Sequence, residues 1–137
     1  MPPREFKPTY FAIEDRDSVL IATVTGASLS EEDNIEQFGV ELNQIIEIYS
    51  TNWLALNLRS VTLMTSSAIG KLIAMHRNLH RREGRLHLCG LSPTVESVLK
   101  TAKLIDYFHI SPSVDEAVAV LTQERLRPSG DSITKTG

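Results

Sequence analysis

A single cysteine, Cys89, stands among 137 residues, so no internal disulfide can form and nothing points to an oxidising compartment. Glycine is sparse and scattered, with seven in all. Neither Gly-x-x-x-x-Gly-Lys-Ser/Thr nor Gly-x-Gly-x-x-Gly occurs, so no loop is built to cradle a nucleotide phosphate. Long apolar runs are missing too: none approaches the roughly 20 uncharged residues that cross a bilayer as a helix. The opening Met-Pro-Pro-Arg-Glu-Phe-Lys-Pro has no apolar core of the signal-peptide kind. An excess of positive charge is also absent. The formal net charge of -3 argues against binding to nucleic-acid backbones. A cytoplasmic protein without membrane or nucleic-acid partners is therefore expected.

What is present suits one ordinary domain. The chain is 42% hydrophobic and 23% charged, which provides a core and covers a surface. Residues 1–8 carry three prolines and residues 126–137 are polar and lack apolar periodicity, so both ends read as tails around a domain at 9–125. Within it, Tyr10–Glu14 and Val19–Val24 read as two strands joined by Asp15-Arg16-Asp17-Ser18. A helix is expected from Ser30 as N-cap, with Glu31, Glu32 and Asp33 at the positive end of its dipole. Its buried stripe is Ile35, Phe38, Leu42, Ile45, Ile46 and Tyr49. Trp53–Leu58 is nearly all apolar, as in a strand covered on both faces.

A second helix is predicted over about 68–82, with Ile69, Leu72, Ile73, His76 and Leu79 inward and Gly84 as terminator. A strand follows at Leu86–Cys89. Ser92-Pro93 then opens a helix with Val95, Val98, Leu99 and Ala102 inward. A short strand near Phe108–Ile110 and a helix capped by Ser113 and Glu116, running to about Glu124, complete the order β-β-α-β-α-β-α-β-α. Strands separated by single helices imply an α/β fold. Its mixed, mostly parallel sheet has about five strands, an antiparallel pair at the start, and four helices. The strand at Tyr10–Glu14 is a free sheet edge, which leaves weak homodimerisation open.

The chemistry concentrates in Thr65-Ser66-Ser67, three hydroxyls at a helix start. Such residues cap free amides. The same place also suits a phosphate, which would meet those amides and the positive end of the dipole. Other candidates are weaker. His76 and His80 lie four apart, but no further ligand completes a metal site, and Arg77, Arg81 and Arg82 oppose a cation. Those arginines with Arg85 form a basic patch, which reads as a solvated helix end. Cys89 reads as a small core residue. Ser66-Ser67-Ala68-Ile69-Gly70 lacks the glycine two residues before the serine that a nucleophile elbow needs. No cofactor, metal or catalytic residue is expected, and a binding protein is favoured over a hydrolase using Ser67 and a histidine.

Gly26, the strand Leu54–Leu58, Ser66-Ser67 before Gly70 and Leu72, Gly84 before Arg85-Leu86-His87-Leu88, and Leu104–Ile110 before Ser113-Val-Asp-Glu-Ala117 together resemble a STAS domain. This is the fold of bacterial anti-sigma factor antagonists, and the resemblance spans roughly residues 10–123. It implies a regulator that binds an anti-sigma factor, usually a serine kinase, and is switched off by phosphorylation. Ser67 matches the family's acceptor, with Ser66 and Thr65 as alternatives. Thr65, Ser66, Ser67, Ala68 and Lys71 would form the partner surface. The chain departs from the family's Asp-Ser-Ser-Gly at Thr65 and Ala68, and has Asn57 where an acid is common. Those departures support a second reading, a scaffold module of a larger signalling assembly that is not phosphorylated.

Overall fold

The structure, a computed structural model, describes residues 8–16, 18–29 and 32–126, without the side chains of residues 32 and 33. The expected Ser30 cap, Glu31, and residues 1–7 and 127–137 of the expected tails lie outside the described residues.

Two β-rich strands, β1 (Phe11–Arg16) and β2 (Val19–Val24), form the antiparallel hairpin, with Ser18 in the left-handed region at φ 70. The chain continues through β3 (Ser28–Leu29), α1 (Glu32–Tyr49), β4 (Trp53–Asn57), β5 (Leu63–Met64), α2 (Ser66–Arg81), β6 (Arg85–Cys89), α3 (Pro93–Thr101), β7 (His109–Ser111) and α4 (Val114–Leu126). The main sheet runs β1-β2-β4-β6-β7 and is parallel beyond the hairpin. The expected order holds, with boundaries moved by at most two residues and one addition: β3 and β5 pair in a separate two-stranded sheet. Ser92 caps α3 by accepting from the Val95 amide at 3.2 Å, and Ser113 accepts from Glu116 N at the start of α4.

Alternation along the strands divides the core in two. Leu20, Leu54, Leu56, Leu86 and Leu88 point to one face, against Phe38, Leu42, Ile45 and Ile46 of α1 and Ile69, Leu72 and Leu79 of α2. Val19, Ile21, Ala55 and Cys89 point to the other, where they meet Ala117, Val118 and Leu121 of α4. Ala102, expected inward, is exposed, and Ile73 and His76 are only half-buried. Met75 takes the inward place on α2 instead.

One charged residue sits in the apolar stripe of α1. Glu41, three residues beyond Phe38, is 2% exposed. Its carboxylate accepts from the Thr9 and Tyr10 amides at 2.8 and 2.9 Å and from Gln37 Nε2 at 3.2 Å. It thereby holds the chain entering β1 against α1. Glu41→Ala should cost about 2–3 kcal/mol in urea unfolding, because charge-assisted bonds are lost and two amides are left inside. Glu41→Gln, which keeps an acceptor, should lose clearly less.

Candidate functional site

The hydroxyl cluster is positioned by the small sheet that the sequence did not reveal. Leu63 and Met64 of β5 align with Ser28 and Leu29 of β3. Thr62 N donates to Ala27 O at 2.8 Å, and Thr65 N donates to Leu29 O at 3.1 Å. The chain entering α2 is thus tied on its β3 side up to Thr65. The helix begins two residues earlier than the pattern predicts, with Thr65 as N-cap in an extended conformation at φ -90, ψ 170. Ser66 and Ser67 therefore occupy its first turn.

The capping role expected of these hydroxyls is not what they do. Thr65 makes no side-chain cap bond; its Oγ1 reaches back to Leu29 O at 3.5 Å. The first turn carries no acidic residue. Ser66 and Ser67 are exposed. Their hydroxyls stand at the positive end of a 16-residue helix. Ala68, expected on the partner surface, is fully buried, because the turn of helix that lifts Ser67 outward points the next side chain into the core. Behind the serines, Ile69 and Leu72 are core residues, while Gly70 is exposed and has open space where a side chain would be.

Ser67 faces an open groove of about 650 Å³ between α1 and α2, shared with Thr65, Gly70, Lys71, Ile35 and Glu36. Lys71, one turn beyond Ser67, pairs through Nζ with Glu36 Oε2 at 3.1 Å. Its stem lies over Gly39: a Cβ there would come within 2.8 Å of Lys71 Cδ. Gly39, which weakens α1 locally, makes room for this crossing. Two exposed apolar side chains border the region, Leu63 (49%) on β5 and Val40 (47%) on α1, the latter beside Lys71 in an adjoining groove. Sequence reasoning missed Glu36, Val40 and Leu63. Nothing local marks them: the α1–α2 crossing brings Glu36 into the groove that Ser67 faces and sets Val40 beside Lys71, and Leu63 stays exposed on the short strand β5.

The other candidates resolve simply. Among the described residues no three His, Cys, Asp or Glu side chains are placed to hold a metal ion. His80 is exposed, and His76 packs on Tyr107 at 4.8 Å between ring centres. Within the basic patch, Arg82 pairs with Glu47 at 3.2 Å, and Arg85 Nε lies 3.6 Å from Glu124. Burial pushes the Cys89 thiol up to about 11, which makes it a poor nucleophile. Asn57 ends β4 by accepting from the Arg59 amide at 3.1 Å. No helix among the described residues is long and apolar enough to cross a membrane.

Fold and site together define a small α/β domain whose exposed feature is a surface at a helix start, beside a shallow open groove. Residues 10–117 match the STAS domain family. An anti-sigma F factor antagonist of Paenibacillus polymyxa is 22% identical over 111 residues, covering 81% of this chain and 91% of the relative. The crystal structure of an anti-sigma factor antagonist from Mycobacterium paratuberculosis superimposes with a TM-score of 0.71 at 18% identity, over 82% of this chain and 92% of that one. The Bacillus cell fate determinant SpoIIAA in its phosphorylated form gives 0.60 at 21%, over 85% and 99%. The chain belongs to the STAS domain family, and its relatives include anti-sigma factor antagonists.

Proposed function

We propose that this protein is an anti-sigma factor antagonist. It binds an anti-sigma factor with the surface around the start of α2, and phosphorylation of Ser67 by that partner ends the binding. The observation that carries the reading is the exposed Ser66–Ser67 pair in the first turn of α2, tied in place by β3 and bordered by Leu63, Val40 and Lys71. Ser67 is the acceptor because it is the serine that faces the groove. The partner surface is Thr65, Ser66, Ser67 and Lys71; Ala68 is excluded by its burial. A relative solved in a phosphorylated form supports the same chemistry here.

In the transfer, Ser67 Oγ bonds to the terminal phosphorus of ATP as the bond to ADP breaks, and the hydroxyl proton passes to a base of the kinase. The product carries about -1.5 to -2 charges. Lys71, four residues on, is the orientation in which an acidic group N-terminal to lysine pairs well. The phosphate would thus draw Lys71 from Glu36, whose carboxylate it repels. Incubation with a serine-kinase anti-sigma factor and ATP, followed by peptide mapping of residues 60–77, should place one phosphate on Ser67. A stable complex with no phosphate gained would overturn the switch and favour the scaffold reading, to which Thr65 and Ala68 already lean.

A further inference from the structure

A cluster of imidazoles lies far from the serines, at the β7 edge of the sheet. His87 of β6 and His109 of β7 are in direct register, and their rings stack at 5.3 Å with 15° between planes. His87 is 4% exposed. Arg85 Nη1 lies 3.3 Å from His109 Nε2, and His87 Nδ1 lies 3.4 Å from Ser111 Oγ. From α4, Glu124 Oε1 comes to 3.6 Å from Arg85 Nε and 3.7 Å from His87 Nε2. Those separations are longer than a charge-assisted hydrogen bond. Arg85 Nε, His87 Nε2 and Glu124 Oε1 are accordingly buried with no hydrogen-bond partner. From α2, His76 stands 5.9 Å from His109, and its Nδ1 is likewise buried and unpaired. The groups facing the stacked pair are therefore Arg85, His76, His80 and Glu124, with Tyr107 against His76.

One carboxylate thus serves a fixed guanidinium and a set of imidazoles. The first imidazole to gain a proton can share Glu124 with Arg85; a second would stand about one ring spacing from a like charge, beside the nearly buried His87. The element that closes this site is α4, which lies alone on its face of the sheet among the described residues. It rests on a core of small and β-branched side chains: Val19, Ile21, Ala55, Cys89, Ala117 and Val118, with Leu121.

We propose that the His87–His109 stack is an acid-operated catch on α4. While the imidazoles are neutral the helix stays docked; when they gain protons its C-terminal half lifts from β6 and β7 and uncovers the sheet beneath. The sign follows from burial. His76, His87 and His109 all bind protons less readily than a free imidazole, first because they are desolvated; for His87 the next influence is the opposing attraction of Glu124, and for His109 and His76 it is repulsion from Arg85 and the neighbouring imidazoles respectively. In the open form the rings return to the ordinary value near 6.5. Below that value the open form holds more protons, so falling pH favours opening.

The test uses the full chain, with hydrogen exchange followed by mass spectrometry from pH 7.5 to 5 and corrected for the chemical rate. Trp53, the only tryptophan, packs against the α4 core and adds a fluorescence signal. Exchange in residues 114–126 should rise progressively relative to β2 and β4 as the pH falls below about 6.5, the direction that a lowered proton affinity in the closed form dictates. His87→Gln with His109→Gln should flatten that rise. In the unmodified protein, ring proton resonances of His87 and His109 should titrate below 6.5 in step with α4 exchange. Loss of protection in α4, β2 and β4 at one common midpoint, or an unchanged profile in the double variant, would overturn the proposal. So would both rings titrating at the ordinary value.

Discussion

Ser67→Glu should weaken binding to the anti-sigma factor by some two to three orders of magnitude, while Ser67→Ala should bind as the unmodified protein does. Magnitudes decide where this effect arises. A negative charge in the first turn of α2 stabilises the helix by about 0.3–1 kcal/mol, so it does not unfold the site. Pairing with Lys71 adds about 0.3–0.5 kcal/mol at an exposed position. Against this, a charge desolvated at an interface, or set against like charge there, costs several kcal/mol. About 3–4 kcal/mol corresponds to the stated loss of affinity. Calorimetric titration measures it, and thermal unfolding supplies the control. Ser67→Glu should melt no lower than the parent chain; a variant that loses both binding and stability would place the effect on folding instead. Lys71→Ala should leave the loss in Ser67→Glu nearly intact, since the intramolecular pair is the smaller term.

Three glycine-to-alanine substitutions should separate widely in stability, with Gly84→Ala the most damaging of them. A Cβ at residue 84 would lie 2.0 Å from Asn52 O and 2.4 Å from Asn52 Cβ. That carbonyl is held by the Arg85 amide at 2.8 Å, and Asn52 Nδ2 donates to Arg82 O at 3.2 Å. The backbone leading into β4 must therefore move to admit the methyl group. About 3 kcal/mol is expected, the upper range for overpacking. At Gly39 the obstacle is the flexible stem of Lys71, which can swing aside. The gain in helix propensity of about 1 kcal/mol and the loss of the Lys71–Glu36 bridge should leave Gly39→Ala near neutral. At Gly70 nothing lies within 4 Å, so Gly70→Ala should stabilise by about 0.5–1 kcal/mol. Urea unfolding with unchanged slope reads all three. Equal stability across the series would refute the steric account of Gly84.

Gly84 also shows how a sound sequence signal can point to the wrong cause. A glycine after a helix rich in basic residues reads as its terminator. In the structure the left-handed residue closing α2 is Glu83, at φ 62, and the helix ends at Arg81 with Arg82 as C-cap. Gly84 is needed because Asn52 passes over it, a contact between segments 32 residues apart.

The sequence by itself determined the strands of the main sheet and the four helices, the α/β class, the stripe Ile35–Phe38–Leu42–Ile45–Ile46 and the caps at Ser92 and Ser113. These depend on periodicity and on bonds within a few residues, so the chain states them locally. It also placed Thr65, Ser66 and Ser67 at a helix start. Tertiary structure alone decided that Ala68 faces inward and Ser67 outward: α2 extends back to Ser66, so Ala68, four residues before Leu72, falls on the buried stripe of the helix while Ser67 does not. It alone paired β3 with β5, brought Glu36 to Lys71, and put α4 on the far side of the sheet with Glu124 over His87. Two-residue strands carry too little pattern to be read, and a helix's choice of sheet face depends on which apolar surface remains after the other three have packed.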